Sequence, residues 1–471
     1  MKKIKGFISL LTFFLLTINA DIFAVTASGG GESGHSSVLP PTYMVLPFVL
    51  LLLMIATGPL FYHHFWEKHY PKISVALGSV TALYYIIVLN DSISLVHTLT
   101  EYISFIALLA SLFVASGGIL IKVDRKSTPA FNTMFLLFGS IISNIIGTTG
   151  ASMLLIRPFI KINKGRIKPY HIIFFIFSVS NIGGALTPIG DPPLFLGFLR
   201  GVSFFWVVQH VWSAWLFCLV LLLLVFYFID RHNHTESTGT YSNKIEFRGL
   251  KNVIFLIIIV LSVFIDPVIF SWVPSLKPLP FGIREIVMFS VVYLSYRFAD
   301  KKAHEGNDFN FEPIKEVAYM FVGIFATMVP ALQLIAHEAN VLGDKLTPGL
   351  FYWSTGILSS FLDNAPTYLN FLSAALGKFG MDVNSPDQVH DFSFAYPIYL
   401  ASISIAAVFF GAMTYIGNGP NFMVKSICEK AGIKMPSFFG YILKYSLPIL
   451  LPIFFIIWYL FFHLNIYGII H

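Results

Sequence analysis

The sequence predicts an all-α polytopic membrane protein: two inverted repeats, each of five transmembrane helices plus one re-entrant hairpin, with broken helices at the site. Composition is the first observation. Of 471 residues, 56% are hydrophobic and 11% charged, with mean hydropathy +0.76. A soluble domain carries about 25% charged residues, so this chain belongs in lipid. Its separated apolar runs of about 20 residues read as helices, not barrel strands. The second observation is a duplication. Gly184-Ala185-Leu186-Thr187-Pro188-Ile189-Gly190-Asp191-Pro192-Pro193 returns as Gly411-Ala412-Met413-Thr414-Tyr415-Ile416-Gly417-Asn418-Gly419-Pro420. The third is the placement of Lys and Arg, taken up below.

Taken in order, Met1 to Ala27 has a basic start (Lys2, Lys3, Lys5), an apolar core from Phe7 to Ile18 and a small-residue end. It reads as a signal peptide, because that core is too short to cross comfortably. Residues 28–40 then form a periplasmic segment. The first repeat covers 41–229, with spans at 41–62, 73–90, 102–121 and 205–229. Its hairpin occupies 131–160 and its broken helix 171–200. Polar residues 230–252 form a cytoplasmic linker. The second repeat covers 253–465, with spans at 253–272, 282–298, 314–336 and 441–465, a hairpin at 350–379 and a broken helix at 394–424. A hairpin adds no net crossing and five is odd, so the halves are expected to be inverted. Lys and Arg agree with this topology. They crowd the segments assigned inside, whereas those assigned outside hold only Arg200, Lys277, Arg284, Lys345 and Lys378. The expected location is a bacterial inner (plasma) membrane, with the mature N-terminus periplasmic.

Broken helix is tolerated in a bilayer only where the freed backbone is buried in protein or lines a cavity. Breaks at corresponding places in two halves point to a transporter's binding site. Here the breakers are Pro188, Pro192, Pro193, Pro366 and Pro420. The expected ion or substrate ligands are Asn144, Thr148 and Thr149 at the first hairpin tip, with Thr187, Gly190 and Asp191 in the first break. Their counterparts are Asp363, Asn364 and Thr367 at the second tip, with Thr414, Gly417 and Asn418 in the second break. Amide, hydroxyl and carbonyl oxygens suit a dehydrated Na⁺, expected at Asn144, Asp363 and Asn364, while half-helix N-termini suit an anion. The bland alternative is that small polar residues merely pack helices. Buried carboxylates in a membrane protein are functional candidates. Asp363 reads as an ion ligand, whereas Asp191, preceding Pro-Pro, reads equally as a helix cap or an ion ligand. Arg157 and Arg200 read as snorkelling side chains, with carboxylate capture as the alternative. His63, His64, His69, His232 and His234 read as solvated loop residues. Cys218 and Cys428 imply no disulfide framework. Without a phosphate-binding glycine loop or a nucleophile–base arrangement, neither ATP-driven transport nor an enzyme is expected.

The motifs Gly183-Gly184-Ala185-Leu186-Thr187-Pro188-Ile189-Gly190-Asp191-Pro192-Pro193 and Asp363-Asn364-Ala365-Pro366-Thr367 resemble those of the ion transporter superfamily. The likeness is greatest to its sodium/proton antiporter and citrate transporter branches. It implies a homodimer with scaffold helices and a moving unit. Asn144, Thr148, Thr187 and Gly190 would line one Na⁺ site, and Asn364, Thr367, Thr414 and Asn418 its counterpart. Relatives that carry dicarboxylates show Ser-Asn-Thr at both tips, where this chain has Ser143-Asn144-Ile145 and Asp363-Asn364-Ala365. A Na⁺/H⁺ antiporter working by alternating access is therefore the leading expectation. A Na⁺- or H⁺-coupled citrate or dicarboxylate carrier is the alternative, with an oxyanion as a further possibility. The coupling ions are Na⁺ and/or H⁺ with no cofactor. The partners are small ions or a small carboxylate, membrane lipid and a second copy, and no nucleic acid.

Overall fold

A computed structural model describes residues 39–235, 244–267, 270, 272–276 and 279–470. The expected signal peptide, most of the 28–40 segment and residues 236–243 of the linker lie outside the described residues. Among these the chain is an all-α polytopic membrane protein. Six helices are long and apolar enough to cross a membrane, or seven if a pair bent by 100° (Pro386–Ala395 and Pro397–Met413) is one span.

In chain order the elements are α1 (Leu46–Phe61), α2 (His63–Ile87), α3 (Ser92–Gly117), β1 (Leu120–Asp124), α4 (Pro129–Ile162), α5 (Pro169–Ser178), α6 (Pro192–Arg200) and α7 (Trp206–Arg231). After the linker come β2 (Lys244–Arg248), α8 (Lys251–Ser262), α9 (Ile283–Arg297), α10 (Lys301–Gly306), α11 (Glu312–Leu342), α12 (Pro348–Phe361), α13 (Asn364–Lys378), α14 (Pro386–Ala395), α15 (Pro397–Phe410) and α16 (Gly419–Lys430). The last span, α17 (Phe438–His463), includes π-helical turns over Ile442–Leu450 and Trp458–His463.

A straight α4 would be about 50 Å long, yet its ends touch. Gly147 (φ 75°, ψ 154°) interrupts the helix, and the two arms fold together around it. Leu155 lies against Gly139, the rings of Phe135 and Phe159 stack 5.3 Å apart, and Asn132 and Asn163 exchange amide hydrogen bonds of 2.9 and 3.1 Å at the base. Glycine is required at the turn because a side chain is strained at that φ. The second hairpin is α12 followed by α13, with Phe351 against Phe371. Both open alike: Thr128 and Thr347 cap the first turn, and Pro129 and Pro348 follow at N1, where a missing N–H costs nothing.

The broken helices take the centre. Tyr170–Ser178 and Leu400–Phe410 are buried throughout. Peripheral helices instead turn apolar stripes outward, as Leu216, Val220, Leu224 and Phe228 do at i, i+4 spacing on α7. That stripe faces lipid.

Three expectations change. The span expected at 253–272 is helical only to Ser262, about 18 Å, because a helix continued through Pro267 would lose an N–H and set its ring against the Val263 carbonyl four residues back. His63, His64 and His69 lie on α2, not in a loop, since the helix restarts directly after Tyr62. The linker is not wholly irregular: β2 pairs antiparallel with β1, Ile245 opposite Val123 and Phe247 opposite Ile121.

Candidate functional site: a joint between two hairpin tips

Each tip is sewn to the following break by the same stitches. Ser143 Oγ donates to Val179 O (2.7 Å), and Ser359 Oγ to Ala407 O (2.6 Å). Thr187 Oγ1 donates to Asn144 O and Thr414 Oγ1 to Ser360 O, both at 2.5 Å. The same hydroxyls accept from Gly190 N–H (3.0 Å) and Gly417 N–H (3.1 Å). These contacts set the register between halves. Ser143-Asn144 corresponds to Ser359-Ser360, and Thr148 corresponds to Asn364. Pairing Asn144 with Asn364, as the sequence suggested, is four residues out of step.

Asp191 is the joint. Its side chain is 1% exposed and occupies the N-cap position of α6 without making a cap bond. Its oxygens instead accept from Thr148 Oγ1 (2.7 Å), Asn364 Nδ2 (2.6 Å) and Asn418 Nδ2 (3.0 Å). One carboxylate thus collects both tips and the second break. Asn418 also donates to Ser180 O and Asn181 Oδ1 (both 3.2 Å), and Asn181 donates to Asn421 Oδ1 (2.7 Å).

Asp191 and Asn418 are repeat-mates in direct contact. Two aspartates there would set like charges about 3 Å apart, a distance at which both cannot ionise. The Asp/Asn asymmetry between the copies therefore has a physical cause.

The remaining expected ligands divide by whether an oxygen is left over. Asn144 is fully engaged: its amide donates to Ser140 O and Gly183 O and accepts from Leu186 N–H. Thr367 turns back to Asp363 O (2.9 Å). Asn364 keeps a buried Oδ1 without a partner among the described residues. Asp363 is half-buried, and one of its oxygens caps α13 by accepting from Ala365 N–H (3.0 Å). Thr149 and Thr187 are half-buried, while Gly190, Thr414, Gly417 and Asn418 are buried. Among the breakers, Pro188 sits inside the turn closed by Gly190 N–H on Thr187 O (2.9 Å). Pro192 and Pro193 start α6, Pro366 lies in the first turn of α13, and Pro420 lies in the first turn of α16.

The family described as "Putative citrate transport" matches residues 37–462. The chain belongs to that family. This agrees with the likeness to the citrate transporter branch of the ion transporter superfamily, and it makes the protein a membrane transporter. No individually curated protein matches the chain.

The family's cargo class bears on the arginines. Arg200 neither snorkels nor stands free for a carboxylate. It is 5% exposed and paired with Glu101 (2.5 and 2.8 Å), Val383 O and Asn384. Arg157 lies on the second arm of α4, and its Nη1 is buried without a partner among the described residues. No Lys or Arg among them forms an ion pair with Asp191 or Asp363.

Asn181 and Asn421 were missed as site residues. The usable signal was an amide inside a buried segment, which is costly in a membrane unless another polar group answers it.

Proposed function

We propose that the protein is a cation-coupled carrier of citrate or a related small polycarboxylate, working by alternating access. The family match over nearly the whole chain carries this reading, and it favours the carboxylate carrier over the Na⁺/H⁺ antiporter. The charge balance of the joint supports it. Two carboxylates, Asp363 at the second tip and Asp191 in the first break, stand without a basic partner among the described residues, so a polyanion approaches only with cations in place. Asn364 Oδ1, the Asp363 carboxylate and the Thr149 hydroxyl are the oxygens left to hold them, with Na⁺ as the proposed ion and H⁺ as the second candidate. In this reading the repeats are inverted, the molecule pairs as a homodimer in a bacterial inner membrane, and the mature N-terminus is periplasmic.

The test is uptake of labelled citrate into proteoliposomes under an inward Na⁺ gradient, an inward proton gradient or neither. Saturable uptake driven by one gradient is expected. Asp363→Asn should shift the cation dependence to higher concentration while leaving the protein folded, because Asn also caps a helix well. Proton release on adding Na⁺ alone, with no citrate uptake, would return the protein to the antiporters.

A further inference from the structure

We infer that the first turn of α2 and the facing turn of α11 form a binding site for a divalent cation of the zinc class. Its ligands are His63, His64 and Glu67, with Glu316 completing it from the second helix. Glu67 is four residues after His63 and three after His64, the two spacings at which helix side chains meet. One ligand atom from each lies within 4.8 Å of the others. His63 Nδ1 is 3.2 Å from Glu67 Oε2, and the two imidazoles sit edge to face with centroids 5.9 Å apart. Tetrahedral ligands at zinc bond lengths are separated by about 3.3 Å. All three side chains are exposed, so small rotamer shifts close that gap with little loss of packing.

Helix packing points to Glu316, outside that three-residue cluster, as the fourth ligand. A Cβ on Gly323 would meet Ser74 O at 2.6 Å, one on Gly78 would meet Ala326 Cβ at 3.2 Å, and Tyr85 donates to Gln333 at 2.7 Å. The pairings advance together along both helices, so α2 and α11 run parallel in fixed register. Extended back to the helix starts, that register sets Glu67 opposite Glu316 and His63 opposite Glu312. Consistently, Glu67, Glu312 and His63 are the charged groups acting on Glu316. Lys315 is taken by Glu312 (2.9 Å). Among the described residues no Lys or Arg pairs with Glu67 or Glu316, so His63 is the basic side chain set against these two carboxylates.

A helix N-terminus disfavours a cation by a fraction of its dipole charge, and two full carboxylate charges outweigh that. The imidazole pair then sets the class of metal. Nitrogen ligands suit Zn²⁺, Ni²⁺ or Cu²⁺, whereas Mg²⁺ and Ca²⁺ want oxygen alone. The bland reading of the same atoms is a single exposed His63–Glu67 ion pair, which involves neither His64 nor Glu316. This site is independent of the transport reading.

Isothermal titration of the purified full-length protein, free of any affinity tag, with Zn²⁺ and separately with Mg²⁺ tests it. One Zn²⁺ per chain should bind saturably and Mg²⁺ should not compete. The double variant His63→Ala/His64→Ala should lose binding, and Glu316→Gln should weaken it roughly tenfold. These surface changes leave the metal-free melting temperature unchanged, which checks folding. Zn²⁺ binding at full affinity in either variant, or no saturable binding by the parent protein, overturns the assignment.

Discussion

Asp191 and Asp363 began as similar candidates and ended in different roles. The difference lies in what each oxygen touches. Asp363 serves its own helix, accepting from Ala365 N–H, while Asp191 ignores its helix and gathers Thr148, Asn364 and Asn418. A carboxylate that accepts from three buried donors cannot be replaced without leaving them unpaired. The sharper test concerns its repeat-mate. Asn418→Asp sets two carboxylates at 3.0 Å inside the protein, and should cost about 3–5 kcal/mol, the order seen when a buried charge is left uncompensated. Transport should vanish with it. The exchange Asp191→Asn/Asn418→Asp restores one charge to the contact, and should recover most of the lost thermal stability in detergent. If the double variant is no better than Asn418→Asp alone, the shared-charge account of the asymmetry fails.

At the scale of elements, the first hairpin owes its fold to one residue at its tip and a polar clasp at its base. Gly147 turns the chain, and a Cβ there would stand 3.2 Å from Ile189 O in an unfavourable φ region. Gly147→Ala should therefore cost about 1–3 kcal/mol and push the tip off the break it is bonded to. Reduced citrate uptake together with a melting temperature lower by several degrees is the expected result; an unchanged melting temperature would show the tip to be plastic. The clasp is a buried network. Asp230 accepts from Arg166 (2.9 Å), Asn132 (2.9 Å) and Tyr170 (2.6 Å), and His171 Nε2 lies 3.1 Å away. It ties the hairpin base to the end of α7, so the hairpin is held at both ends.

Across the whole molecule, the contacts between the two halves include the Asp191 joint, the hold of Arg200 on Val383 and Asn384, and the parallel seam of α2 on α11. Small residues make the seam. Gly78, Gly323 and Ser74 let backbones approach, as in other membrane helix pairs. Gly323→Val would drive a side chain into Ser74 O, and should destabilise the protein by about 1–3 kcal/mol through overpacking, read as a lower melting temperature. Gly323→Ala should fall between the two. Equal stability for all three would mean that the seam is looser than its contacts indicate.

The sequence by itself determined the class of molecule, the order of its broken and unbroken helices, and the tips and breaks where the site assembles. Those follow from local causes: apolar runs long enough for a bilayer, Pro and Gly that stop helices, and a repeated motif that needs no partner to be recognised. Tertiary structure decided which donors reach Asp191, since Thr148, Asn364 and Asn418 come from distant segments, while the local difference is that Pro192 and Pro193 offer Asp191 no N–H whereas Asp363 finds that of Ala365. It also decided the register between hairpins. Sequence aligned one Asn with another, whereas hydrogen bonds aligned Thr148 with Asn364, two unlike side chains doing the same work on Asp191. Burial of a polar group is settled by what arrives from elsewhere in the chain, and no local pattern records that arrival.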